Sequence, residues 1–329
     1  MATFNPKTLS ALGAAAGALL LSAPTSAMAQ DCPADEWPCD TIEIVSHASA
    51  GGGTDTTIRM WLDAADEMID EDMRVVYKQG GGSRAAHEYA MNRGPDGHTI
   101  IALTQTHLYT IARGNSPLTI DGIQGVARAM DDPSVIVVNA DSDYEGYEDF
   151  VSAAQEGMTW GVAQVGGTEH IGISRWGEEA GVEPRVVPFG SGGDMITSLR
   201  SGAVDATLAN VSEALTLIEE GEIKPIALLY NERVDDLPDV PTAAEFGHDV
   251  SVTTTRGYYV LADTDPAIVE KMEALILEAM QSERFQDYLR SSGLDPETNI
   301  GGAEEWDQQL KEEYEVSLQA LRNLDMTDQ

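Results

Sequence analysis

Three times in this chain an apolar run of strand length stops at a cluster of glycines, and a helix-like apolar pattern begins directly after it. Residues 42–45 lead into Gly51-Gly52-Gly53-Thr54-Asp55, residues 159–162 into Val165-Gly166-Gly167-Thr168, and residues 185–187 into Gly190-Ser191-Gly192-Gly193-Asp194. Each junction reads as strand, tight turn and helix start, with a Thr, Ser or Asp placed to cap the helix. Such a turn exposes backbone N–H groups, and the first turn of the helix adds its own, at the positive end of the helix dipole. An anion, carboxylate or phosphate, is the guest that this geometry favours.

The same alternation runs through most of the chain. Strands are expected at 73–77, 99–103, 134–138 and 206–209, and helices at 83–91, 148–155 and over Ile171, Ile173 and Trp176, and again over Met195, Ile196 and Leu199. This is α/β order, which predicts parallel strands with crossover helices and a ligand cleft beyond the carboxyl ends of the strands. The C-terminal part differs in character. Asp265-Pro266 opens a helix to about residue 280, a second runs 282–291, and Trp306, Leu310, Tyr314, Leu318 and Leu321 mark a long amphipathic third.

Residues 1–29 have a Lys7, an apolar stretch at 9–21, and small residues at Ala27 and Ala29, the pattern of a secretory leader cut before Gln30. The apolar stretch falls short of the roughly 20 residues that a membrane helix needs. In an oxidising compartment Cys32 and Cys39, the two cysteines of the chain, are expected to pair. Acidic residues number 56 against 19 basic, a formal charge of −37. They are scattered along amphipathic segments, which predicts an acidic solvated surface and argues against nucleic-acid binding. A salty habitat fits, because screening shortens from about 8 Å at physiological ionic strength to about 3 Å at 1 M.

Six motifs in order carry a resemblance to a known family: Gly51-Gly52-Gly53-Thr54-Asp55, Gly80-Gly81-Gly82-Ser83, Gly94-Pro95-Asp96-Gly97-His98-Thr99, Gly190-Ser191-Gly192-Gly193-Asp194, Gly202-Ala203-Val204-Asp205 and Leu237-Pro238-Asp239-Val240-Pro241-Thr242-Ala243. With them the chain resembles the Bug/TctC receptors of tripartite tricarboxylate transporters. The resemblance implies a two-lobed periplasmic binding protein of type II-like fold, with two Rossmann-like domains around a cleft. By that likeness the first domain takes 30–131 and 255–329, the second 132–254, and the chain crosses between them near 129–134 and 253–257. It also implies a small organic carboxylate held on residues 50–55, delivery to a membrane permease, and a monomer in the periplasm. No cofactor, metal or catalysis is implied. An exported hydrolase or transferase remains open, although Gly-x-Ser-x-Gly, His-Glu-x-x-His and the Walker A pattern are all absent. A receptor docking on an ABC permease or a sensor kinase is open as well.

The candidate ligand-binding residues are Ser46, Ala50, Gly52, Gly53 and Thr54 at the first junction, Gln105 and Thr106 beyond the third strand, Gly167, Thr168 and His170 at the second junction, Ser191 and Gly192 at the third, Asn210 with neighbouring Ser212, and Arg256. Arg256 has two open roles: a planar fork for a carboxylate, or an ion pair between domains. On the first, Arg256→Ala weakens binding about tenfold or more and leaves the melting temperature of the empty protein nearly unchanged. Thr54, Thr168 and Ser191 either donate to the ligand or cap helices. Asp55 and Asp194 suit capping or loop bracing. His47, His107 and His170, placed on loops, match no metal spacing and suit hydrogen bonding. Trp160, Trp176, Tyr258 and Tyr259 suit packing.

Overall fold

The computed structural model describes residues 32–189, 192–324 and 326–327, so the leader and Ser191 lie outside the described residues. The chain runs β1 (Ile42–Ser46), α1 (Gly53–Asp66), β2 (Met73–Tyr77), α2 (Arg84–Arg93), β3 (Thr99–Leu103), α3 (Gln105–Ala112), β4 (Ile123–Asn139), α4 (Tyr147–Gly157), β5 (Thr159–Val162), α5 (Thr168–Ala180) and β6 (Arg185–Pro188). It continues through α6 (Gly192–Arg200), β7 (Ala206–Asn210), α7 (Val211–Glu219), β8 (Ile223–Leu229), β9 (Thr253–Leu261), α8 (Pro266–Met280), α9 (Glu283–Ser291), α10 (Pro296–Asn299) and α11 (Ala303–Asn323).

The strands join in the order β2-β1-β3-β9-β4-β7-β5-β6, with β8 also on β4. The flanking strands are parallel, as the alternation predicts: β1 with β2 and β3, and β5 with β6 and β7. The centre is not. There β9 runs antiparallel to both β3 and β4, and β4 antiparallel to β7 and β8. A strand that returns across the sheet without a crossover helix has to pair antiparallel.

Strand β4 is the element that joins the two halves of the sheet. Its first part, Ile123 to Pro133, pairs with β9, and its second part, Ser134 to Asn139, with β7 and β8. The strand expected at 134–138 covers only the second part. The first carries Gly125, Arg128 and Asp131-Asp132-Pro133, and two shifts of register, which break the apolar pattern.

Each half has its own core. On one side Ile42, Ile44, Ile58, Trp61 and Tyr258 pack with Met272, Ile276 and Phe285 of the C-terminal helices. On the other, Phe150, Trp160 and Trp176 pack with Ile136 and Leu208. Helix α11 lays Trp306 against the backbone of Gly257, where a β-carbon would come within 2.5 Å of the indole. Trp306 Nε1 donates to Tyr258 O at 3.1 Å, so any larger residue at 257 displaces a fully buried ring. The C-terminal helices thus return to the half that holds β1. Cys32 and Cys39 form the expected disulfide, Cα to Cα 5.9 Å, in the loop that seats Trp37 on Gly97, whose carbonyl accepts from the indole at 2.6 Å. Trp160, Trp176, Tyr258 and Tyr259 are buried, as expected.

Candidate functional site

Five helices begin at the wall of one cavity of about 870 Å³. Gly51 to Thr54 line it from the start of α1, Thr104 and Thr106 from α3, Gly167 to Glu169 from α5, Gly192 and Gly193 from α6, and Asn210, Ser212 and Glu213 from α7. The loop before α2, Gln79 to Gly82, closes another side. Each helix start leaves N–H groups without intrahelical acceptors and about half a positive charge. Helices on both halves of the sheet contribute, because each follows a strand whose carboxyl end faces this space.

The first loop is braced by its own hydrogen bonds, with the Gly52 N–H donating to Ser49 O at 3.2 Å. Gly51 sits at φ 81°, a left-handed conformation that suits glycine. Its N–H donates to Asp55 Oδ2 at 2.8 Å, and Asp55 also takes Tyr77 OH at 2.7 Å and Arg59 Nε at 3.0 Å. Those donors hold the Asp55 carboxyl below its usual range against the opposing effect of burial. Asp55 is therefore a brace, as expected. Gly52 occupies the N-cap of α1 and Gly167 that of α5, both without a side-chain cap. Thr54 and Thr168 lie inside their helices, which removes the capping role for both.

Arg256, on β9, lies at the cavity floor and is 4% exposed. Its Nη1 donates to Asp132 Oδ2 at 3.1 Å and its Nη2 to Glu213 Oε1 at 3.1 Å. Nε is buried with no hydrogen-bond partner among the described residues. Asp132, on β4 and fully buried, also takes Ser212 N–H at 3.2 Å and the Ser212 hydroxyl. Burial pushes the Asp132 carboxyl up to about 6, although the Arg256 charge and the Ser212 bonds pull it down. The neighbouring carboxylates hold the guanidinium proton more tightly than usual in spite of burial. So β4 and β9 carry between them an ion pair that also anchors the first turn of α7. The ion-pair role is present, and the fork is already engaged on both terminal nitrogens.

Most of the other candidates meet here. Ala50, Gly52, Gly53, Thr54, Thr106, Gly167, Thr168, Gly192 and Asn210 line the cavity beside Arg256. Three do not. Ser46 is buried, and its hydroxyl closes a turn with Ala48. Gln105 ties α3 to β9 and α11 through Thr255 and Glu313. His170, inside α5 rather than on a loop, accepts the Gly166 N–H at 2.8 Å. Glu169 borders the cavity, and burial, with the charge of Glu213 adding, pushes its carboxyl up to about 7.

His47 lines the cavity and starts a chain of three buried imidazoles. His47 Nδ1 meets His107 Nε2 at 2.9 Å, and His107 Nδ1 meets His87 Nε2 at 2.9 Å. His87 Nδ1 ends on Ser116 Oγ at 2.7 Å. His107 belongs to α3 and not to a loop. No group of three or more His, Cys, Asp or Glu side chains suited to a metal occurs among the described residues.

Asp132, Glu213 and His87 escaped the sequence reading. Asp132 borders an apolar run just before Pro133, a faint signal of a buried acid. Glu213 had none, being one acid among 56.

The TctC family, described as the tripartite tricarboxylate transporter family receptor, matches residues 58–317. The chain belongs to this family. A TctC-family chain is a solute-binding receptor and not an enzyme, so the hydrolase and transferase alternative falls away. Among curated relatives, a UPF0065 protein of Bordetella pertussis is 24% identical over 278 residues, covering 82% of this chain and 85% of the relative. MatC from Rhodopseudomonas palustris with bound malate superposes with a TM-score of 0.78 at 23% identity, over 87% of this chain and 100% of MatC. A second R. palustris protein, with adipate, gives 0.77 at 23% identity, over 87% and 97%. The two-lobed periplasmic binding protein fold implied by the resemblance is the fold of this TctC-family receptor. No described helix is long and apolar enough to cross a membrane.

Proposed function

We propose that the protein captures a small organic carboxylate, aliphatic di- or tricarboxylate or aromatic acid, in the cavity and hands it to the permease of a tripartite tricarboxylate transporter. Five helix starts around one cavity carry this reading, since each turns the positive end of a helix dipole toward the bound solute, which favours an anion. Relatives of the same fold that hold malate and adipate support it. The lobes are 30–131 with 255–329 and 132–254, they close on the solute, and a leader at 1–29 sends the chain to the periplasm as a monomer. Closure needs only a difference in affinity between open and closed forms. The family description favours a tripartite permease over an ABC permease or a sensor kinase.

Calorimetry and thermal shift with succinate, malate, adipate, citrate and benzoate test this. At least one acid is expected to bind with micromolar affinity, about −8 kcal/mol. At a hundredfold excess over Kd it stabilises the fold by about 2.7 kcal/mol. The charge of −37 repels an anion at long range, so association is expected to quicken or hold steady as salt rises. Binding of only neutral or cationic solutes ends the reading. A steep loss of on-rate with salt refutes the electrostatic part.

A further inference from the structure

We infer that Glu213 is a resident carboxylate that holds the solute's anion seat and must be displaced for a solute to bind. The inference rests on the carboxylate reading above. Glu213 projects from the first turn of α7 and is 43% exposed at its side chain, yet its Oε1 takes Arg256 Nη2 at 3.1 Å. The same oxygen crowds the start of α1, because a β-carbon added at Gly53 would lie 2.7 Å from it. Its other oxygen faces α6, 3.5 Å from where a β-carbon on Gly192 would stand. One carboxylate thus touches the guanidinium and reaches two of the helix starts, contacts that a bound organic acid would need for itself.

The fold does not require this contact. Arg256 is already balanced by Asp132, which is fully buried and fixed by Ser212, whereas Glu213 is half in solvent and held by one ion pair among the described residues. With one partner half in solvent, this pair contributes less to stability than the fully buried Arg256–Asp132 pair. Its consequence falls on binding, where a second acid beside one guanidinium repels an incoming anion and occupies its donor. The receptor is therefore self-inhibited: weak acids that engage few of the helix starts fail to evict Glu213, and acids that engage several succeed.

The test compares wild type, Glu213→Gln, Glu213→Ala and, as a control for net charge, Glu219→Gln at the exposed far end of α7. Succinate, malate, adipate, aspartate and glutamate serve as probes in calorimetry. Both Glu213 variants are expected to bind the dicarboxylates about tenfold tighter or more, since removing one charge-assisted competitor is worth at least one decade. Glu219→Gln is expected to change affinity less than about twofold, because an exposed charge acts at range through screened solvent. A crystal of wild type with a bound acid should show Glu213 turned away from Arg256. If wild type binds a dicarboxylate and neither Glu213 variant binds it more tightly, the inference fails while the carboxylate reading stands. Loss of aspartate and glutamate binding in the variants would overturn it too, assigning Glu213 to a solute ammonium. If neither wild type nor the Glu213 variants bind any acid, the functional reading fails and this inference goes with it.

Discussion

Arg256→Ala is expected to abolish measurable acid binding and to lower the melting temperature sharply at neutral and alkaline pH. The second half of that outcome departs from the sequence expectation of an unchanged empty protein. The guanidinium neutralises Asp132, a fully buried carboxylate, and losing one partner of a buried pair costs about 3–5 kcal/mol. The cost has a pH signature. Asp132 stands near 6 in the folded protein with Arg256 present, above its ordinary 3.8, and removing the positive charge raises it further. A carboxyl raised on folding contributes stability that is full below its unfolded pKa and is lost as pH rises through the folded one. The deficit of Arg256→Ala is therefore small near pH 4 and grows toward pH 8. Asp132→Asn in the same chain removes the stranded charge, so the double variant should regain most of the melting temperature at pH 8 without regaining binding. Thermal unfolding at pH 5 and 8, paired with calorimetry on whichever dicarboxylate binds wild type, reads both arms. A single variant as stable as wild type at pH 8 would mean that Asp132 is hydrated there and the pair is not structural.

The glycine junctions were legible because they are local. Residues 51–55 lie between a strand and a helix whose apolar residues are contiguous in sequence, and the loop is braced by near neighbours, Gly51 by Asp55 and Gly52 by Ser49. The strands 73–77, 99–103 and 159–162 were legible for the same reason, as short apolar runs between turn residues. Helix α3 was not: Thr104 stands at its N-cap but makes no side-chain cap bond, and its helical state follows from burial of Leu108, Tyr109 and Ile111. Strand β9 reads Thr-Thr-Thr-Arg-Gly before its apolar end, a pattern that only the cover of α11 makes sense of. The site divides likewise. Its amide walls could be read from spacing, but its charged floor could not, since Asp132, Glu213 and Arg256 come from three distant segments and pair only across the sheet. Arg256 stood out as a planar fork at the returning crossing, whereas its two acidic partners were hidden in a large excess of their kind.

His107→Leu is expected to cost about 2–4 kcal/mol at pH 7.5, because it strips a partner from His47, His87 and Tyr259 inside the core. Each N···N contact in the chain needs one ring to donate and the other to accept, so the neutral rings form a single directional series. A proton added to His107, the central ring, would set two N–H groups face to face. Burial lowers His47 and His87 from 6.5 to about 4, with the His47 charge adding at His87, and takes His107 well below 6.5. Groups lowered in this way contribute stability that is full above 6.5 and drains as pH falls toward the folded values, by about 1.4 kcal/mol per pH unit for each proton withheld. Three carboxyls oppose them. Glu169 and Glu313 stand near 7 and Asp132 near 6, all raised chiefly by burial, so their contribution is full at low pH and drains as pH rises. Between about pH 4.5 and 6.5 the two slopes run against each other, and wild-type stability should be nearly flat there. His107→Leu removes one of the acid-sensitive groups, so the gap between variant and wild type should narrow as pH falls from 6.5 to 4.5. Urea midpoints at pH 7.5, 6.0 and 5.0 measure that gap. A gap that stays constant with pH would mean that the imidazoles titrate normally, with water reaching the chain from the cavity beside His47.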